Sequence, residues 1–539
     1  MRLALTALML LASGTAAAQD ISLDTLKDVT KTLSSDEFEG RAPTTPGEEK
    51  TLAYIVKRFE QAGLKPGNKG SWFQDVPLVE LTAKNVSNLV FSGGKTPVSL
   101  AYRTDVVINT YRVVPSVALK DSPVVFVGYG INAPERGWND YAGLDVKGKT
   151  VVILVNDPDW QTMTLDGPFG GRAMTYYGRW TYKYEEAARQ GAAAAIIIHD
   201  TEPAAYDFSV VQSSWTGPQR EQDTPGGHMD QSQAIGWISQ NGARALFASA
   251  GKDYAALIEA AKHKGFKAVP LGVKASVSWE NDIRRQASKN VIGILPGAER
   301  PDEVVLYSAH WDHFGSCTPV NGDDICNGAI DNATGVAALV AVAEANAKQG
   351  PAKRSQVFLA VTAEESGLLG SKYYAENPVY PLGKTVGGVN MDALKVRGAV
   401  RDFVITGAGK SELEDMAKTI AATQNRVVVP EPTPERGFYY RSDHFSMARL
   451  GVPMLDGTAG LDQIEGGRAA GEAVDEEYNK VRYHKPQDEY SESWDWGAAL
   501  QDVALYYTLG RQLADGAMWP NWYPTAEFRA VRDNSRAGQ

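Results

Sequence analysis

The stretch EVVLYSAHWDHFG, residues 303–315, decides how the chain is read. Its first half is apolar and β-branched and reads as a short buried strand. Its second half gathers two of the chain's 7 histidines around an aspartate. A strand that ends in bunched polar side chains sets them at the edge of a sheet, where α/β proteins hold their ligands. Working outward, VIGILPG precedes it and SQVFLAVTA and TVGGVNM follow, each succeeded by a Gly-rich or acidic loop and a helical pattern. This alternation predicts an α/β fold, a mixed, mainly parallel sheet with helices on both faces.

Metal-ligand residue types collect at the ends of these segments. His310 closes the first strand and Asp312 lies two residues on. Asp331 precedes an apolar helical run, Glu364 and Glu365 follow VFLAVTA, Asp392 follows VGGVNM, and His484 lies in YHKPQDEY. Taken alone, Asp331 reads as a helix N-cap and an adjacent glutamate pair as a solvated edge. Two neighbouring carboxylates at a buried strand end repel, however, unless positive charge sits between them, and a divalent metal supplies it. Histidines with carboxylates suit Zn²⁺. The number of carboxylates allows two ions bridged by one aspartate and a shared water, with a spare carboxylate to move a proton. Spacing does not say which glutamate plays which part. The ordinary reading of His313 is a hydrogen-bonded histidine that buttresses the loop.

In this order, SAHWDHFG, IDNATGV, TAEESGLLGS, VNMDAL and YHKPQDEY resemble the di-zinc exopeptidases of the bacterial leucyl aminopeptidase and glutamate carboxypeptidase family. The resemblance covers the chain from about Leu26 onward. It implies the zinc exopeptidase fold and two Zn²⁺ ions, with His310 and Asp392 on one, Glu365 and His484 on the other, and Asp331 and a water or hydroxide bridging them. It further implies that Glu364 is the general base and that the Asp312 carboxylate orients the His310 imidazole. GFYYRSDHFSMARLGVPMLDG resembles a family segment that lines the site. Within it Tyr440 is a candidate hydrogen-bond donor to the oxyanion, the alternative being a tyrosine satisfied locally, while Asp443 and His444 brace the loop. Residues 111–281 resemble the protease-associated domain, an α/β module inserted in many members. In it His199, beside Asp200 with no further partner, reads as structural.

The function so implied is hydrolysis of N-terminal residues from peptides, an aminopeptidase activity. A carboxypeptidase of the same family would share every ligand and add an arginine cluster for the substrate carboxylate; Arg401, Arg436 and Arg441 are the candidates, unplaced by sequence. A glutaminyl cyclase relative uses one zinc, against which the bridging set weighs. A receptor-like, non-enzymatic relative would have lost ligands, and none is lost.

At 539 residues the chain exceeds one compact core. Its 43% hydrophobic and 22% charged content argues against disorder and against a membrane bundle. The net charge of -11 opposes phosphate-backbone binding, so nucleic acid is not an expected partner. MRLALTALMLLASGTAAAQD has a basic start, an apolar run of about ten residues and an A-x-A pattern, which predict a signal peptide over 1–18, cleaved after Ala18. The apolar run is too short for an anchor. Export to a periplasm or the medium follows, with no membrane span afterwards. In that setting Cys317 and Cys326 are expected to form a disulfide. The predicted divisions are an N-terminal peptidase part over 19–110, the insert over 111–281, the catalytic domain over 282–519 and a loosely held polar tail over 520–539.

Overall fold

The computed structural model describes residues 21–537; the expected leader and its cleavage site lie outside the described residues. The strand Arg300–His310 is the centre of the peptidase half. It runs parallel to Arg354–Val361 on one side and to Thr385–Asn390 on the other, and Met454–Leu455 extends the parallel set. Side chains along it alternate between two cores, as a pleated strand requires. Val305, Tyr307 and Ala309 face one layer, which also takes residues of the helices Leu23–Leu33, Pro46–Gln61, Thr334–Gln349 and Gly497–Asp515. Val304 and Leu306 face the other, with Tyr374 of the helix Leu369–Glu376 and Met447. The sheet is therefore covered on both faces. Thr334–Gln349 is rich in alanine and valine and buried almost all round, the form a helix takes inside a core.

A second α/β unit continues the same sheet. Ser116–Phe126, Thr150–Leu154, Ala194–Ile198 and Ala234–Ile238 are parallel neighbours, with Val106–Asn109 antiparallel at the far edge. The junction is the 27-residue strand Val269–Leu295. It pairs antiparallel with Arg354–Val361 at one end and with Ser116–Phe126 at the other. Its middle pairs with Phe73–Lys84, which in turn pairs with Pro218–Gln222 of the second unit. Lys372 and Glu221, 3.2 Å apart, also tie the two units together.

Three sequence expectations are corrected here. The second unit shares a strand with the peptidase half, because the strand expected to divide at residue 281 runs unbroken through SWENDIRRQASKN. That segment pairs with Phe73–Lys84 along its length, with Trp279, Asn281 and Ser288 buried and residues 282–287 exposed or half-buried. Nor does the unit begin at residue 111: Leu89, Phe91, Leu100, Val106 and Ile108 already belong to its core. Residues 520–537 are not a loose tail. Trp522 is 1% exposed and donates its indole N–H to the Gly451 carbonyl at 2.9 Å. Phe528 packs with Tyr440 and Phe445, and the buried Arg532 donates to the Thr385 and Val386 carbonyls. Three anchors among polar residues leave little periodic signal, but they are sufficient to hold the segment. Among the described residues no helix is long and apolar enough to cross a membrane.

Replacing Trp522→Ala removes a large buried ring and orphans the Gly451 carbonyl. We expect about 3–5 kcal/mol of destabilisation, read by equilibrium urea unfolding; a loss under about 1 kcal/mol would restore the loose-tail reading.

Candidate metal centre

The parallel strands deliver their polar residues to one edge. His310 ends its strand, Glu364 and Glu365 lie just beyond Val361, and Asp392 lies just beyond Asn390. The backbone turns sharply at each exit. Ala363 and Ala393, next to Glu364 and Asp392, both have positive φ, 52° and 50°, as does His484 at 57°. Left-handed conformations at non-glycine residues cost of order 1 kcal/mol each and mark places where the fold dictates the geometry. Asp331 lies in the segment Ala329–Ala333, which leads into the helix Thr334–Gln349.

Six side chains sequence reasoning singled out converge. His310 Nε2 is 3.3 Å from Asp331 Oδ1 and 3.3 Å from Asp392 Oδ1. His484 Nε2 is 3.2 Å from Asp331 Oδ2 and 3.5 Å from Glu365 Oε2. Asp331 thus touches both groups, one carboxylate oxygen to each. Glu364 is close enough for its charge to act on His310, Asp392 and Asp331. Two trios have ligand atoms grouped closely enough to hold a cation, His310–Asp331–Asp392 and His313–Asp331–Glu365.

The second trio revises His313. Its Nδ1 lies 2.6 Å from Glu365 Oε1, so it contacts the cluster directly rather than only bracing a loop. The role of Asp312 also changes. The His310 Nδ1 is held at 3.1 Å by the Asp312 main-chain carbonyl, whereas the carboxylate is 3.8 Å away and accepts instead the Glu364 amide N–H at 3.0 Å. Asp312 therefore fixes the glutamate turn with its side chain and the imidazole with its backbone. Tyr440 is withdrawn from the substrate side: it is 3% exposed, and its hydroxyl donates to Glu527 at 2.9 Å and accepts from Lys410 at 3.0 Å. Tyr483, missed at first, stacks on His484 with ring centroids 3.7 Å apart, close enough for Asp331, Glu365 and Glu364 to act on its hydroxyl. Its position directly before His484 was the available signal.

Further residues support the ligands. The Ser442 hydroxyl donates to Asp392 Oδ2 at 2.6 Å and accepts from Asn390 Nδ2 at 2.8 Å. His444 is buried 3.2 Å from Asp456, and Asp443 is fully buried beside it. Asp488, in the same motif as His484, accepts the amide N–H groups of Ile330 and Asp331 at 3.1 Å and so fixes the Asp331 segment. Cys317 and Cys326 are joined in a disulfide that staples the hairpin following Phe314, whose ring lies 4.7 Å from that of His484. His199, far from this cluster in the second unit, is buried with Nε2 at 3.0 Å from the Tyr206 carbonyl.

The electrostatics test whether a cation fits. Burial, partly offset by His310, pushes the Glu364 carboxyl well above the usual carboxylate range, and Asp392, Asp443 and Asp331 push it further. Burial does the same to Glu365, with Asp331 and Glu364 adding to it. Burial would lower His310, but Asp392 and Glu364 outweigh it and hold the ring well above its ordinary value. Burial also opposes charge on Asp331, yet hydrogen bonds from His310 and His484 keep it well below the usual range. Buried Asp312 Oδ2 and His313 Nε2 have no hydrogen-bond partner. Such a cluster is short of positive charge, and its nitrogen and oxygen donors are those Zn²⁺ takes. Asp312→Asn, which keeps the shape and removes a charge, is expected to weaken zinc binding about tenfold, measured by chelator competition.

Comparison with known proteins agrees with this geometry. Residues 290–508 match the model of Peptidase family M28. Aminopeptidase NAALADL1 of Mus musculus is 33% identical over 129 residues, which are 23% of this chain and 16% of that protein. A glutamate carboxypeptidase 2 homolog of Caenorhabditis elegans is 33% identical over 130 residues, again 23% of this chain and 16% of the other. The matched stretch is thus a small part of each relative's length. Among solved structures, the aminopeptidase from Aneurinibacillus sp. strain AM-1 superposes with a TM-score of 0.50 at 20% identity, covering 92% of this chain and 95% of that one, which is a likeness of fold. The segment that matches Peptidase family M28, residues 290–508, holds all of the converging candidate ligand residues.

Proposed function

We propose that this chain is an exported, zinc-dependent aminopeptidase that releases N-terminal residues from peptides. The observation that carries the reading is the sharing of Asp331 between two donor groups with Glu364 beside them. His310 and Asp392 would hold one Zn²⁺, Glu365 and His484 the other, and Asp331 both. Bound zinc supplies Lewis acidity toward the scissile carbonyl and the attacking water. Glu364 takes the proton of that water and returns it to the leaving amine. The Tyr483 hydroxyl donates to the oxyanion in place of Tyr440. His313 holds Glu365 in position through Nδ1. We read the second α/β unit as a protease-associated domain that narrows access: Met174 packs on Gly437, Arg172 pairs with Glu435 at 2.9 Å, and the Tyr176 ring meets that of Tyr440.

A carboxypeptidase reading is favoured by one observation. Arg441 is exposed and has no carboxylate partner among the described residues, and its charge reaches Tyr483. Near it lies Arg179, from the second unit, pushed down to about 10 by burial and then by Arg441, with a buried Nε that lacks a partner. Two unpaired guanidinium groups suit a substrate carboxylate. Arg401 is already committed to Asp462 and to neighbouring carbonyls.

Turnover of a peptide library by the mature, zinc-loaded protein separates the two, with matched free and acetylated N-termini. Stepwise loss from free N-termini alone is expected; C-terminal trimming that ignores acetylation would replace the reading. Chelation should abolish turnover and zinc restore it. Glu364→Ala should retain zinc while kcat falls at least about a hundredfold. His484→Ala should lose one equivalent of zinc, counted by elemental analysis, whereas His313→Ala should keep both; the reverse pattern would make His313 the ligand.

A further inference from the structure

Arg41 belongs to none of the motifs above, yet its side chain lies beneath the centre. It is 0% exposed and reaches the site from the turn after the first helix, where Glu39, Gly40 and Arg41 all have positive φ. Gly40 is obligatory there. A Cβ would stand 2.5 Å from the Cys326 carbonyl oxygen and 2.6 Å from that of Gly315, so the turn presses directly on the disulfide hairpin. This close approach delivers the guanidinium. Its Nε donates to the Trp311 carbonyl at 2.9 Å, Nη1 to those of Leu33 at 2.7 Å and Asn327 at 2.6 Å, and Nη2 to that of Gly328 at 2.9 Å. The Arg41 carbonyl in turn accepts the His313 N–H at 3.4 Å.

Every acceptor is a main-chain carbonyl, and no carboxylate lies within ion-pair distance among the described residues. Carbonyls satisfy the donors of a buried guanidinium without neutralising it. The compensating charge comes from further away, from Asp488, Asp312, Asp331 and Glu365. Three of the four carbonyls belong to the two segments that bring His313 and Asp331 to the cluster. A rigid planar fork that grips both segments resists their separation.

We infer that Arg41 is a positioning residue of the zinc centre, which fastens residues 311–313 and 327–328 to the first helix so that the ligands are in place before metal arrives. The inference rests on the two-zinc reading above. The test is zinc affinity by chelator competition for wild type, Arg41→Met, Arg41→Lys and Arg354→Met, alongside the Tm of each metal-free protein. Arg354 is the control, an equally buried arginine that grips the Leu513 and Met518 carbonyls. Arg41→Met should bind zinc at least about tenfold more weakly than Arg354→Met does. Arg41→Lys, which keeps the charge but not the fork, should fall between Arg41→Met and wild type. If Arg41→Met lowers Tm but binds both ions as tightly as wild type, Arg41 is structural and the inference fails. Should Arg41→Met not fold, wild-type affinity in Arg41→Lys overturns it equally. Wild type that binds no zinc would instead overturn the two-zinc reading.

Discussion

Mutual repulsion among buried carboxylates is the constraint on which this molecule turns. Asp331, Glu364, Glu365 and Asp392 meet at one edge of a sheet, where burial makes charge on Glu364 and Glu365 costly and the neighbouring carboxylates make it more so. Left to themselves such groups separate or take up protons. The fold holds them together by attaching them to three rigid elements: Glu364 and Glu365 to one strand end, Asp392 to another and Asp331 to the approach to a buried helix. Hydrogen bonds then set the directions of the side chains, with Ser442 on Asp392, His313 on Glu365 and the Asp312 carboxylate on the Glu364 amide. The nitrogen and oxygen donors so gathered are ones a divalent cation fits.

The segment around Asp331 shows how distant parts of the chain share this task. Arg41, near the start, holds the carbonyls of residues 327 and 328, and Asp488, near the end, holds the amides of residues 330 and 331. The Arg41 guanidinium on the carbonyl side and the Asp488 carboxyl on the amide side leave the segment little freedom.

The second α/β unit enters the same economy of rigidity. Because one strand of 27 residues serves both halves, the unit is anchored as part of the sheet and not as a hinged lid. Its loops meet the 430–441 region and the C-terminal segment around the Tyr176, Tyr440, Phe445 and Phe528 rings. This aromatic packing explains why Tyr440, though it resembles a site residue in sequence, serves the wall instead of the substrate.

The local features were legible in the residues themselves. Apolar runs that end in histidine or acidic residues predicted the parallel strands and the edge where His310, Glu364, Glu365 and Asp392 lie, because strand pattern and strand end are both short-range properties. Resemblance supplied the pairing of ligands. Three things came only from the tertiary structure. The unbroken strand through residue 281 depends on a partner strand remote in sequence, with which residues 280–291 pair. The parts played by His313, Asp312, Tyr440 and Tyr483 depend on side-chain directions within a few ångströms, which composition and spacing do not encode. Arg41 and Asp488 act on backbone atoms of other segments, an interaction indifferent to the identity of the residues it grips. The sequence by itself determined which groups are present and at which strand ends; packing decided which of them face one another, because charge and hydrogen bonding depend on distance in space and not along the chain.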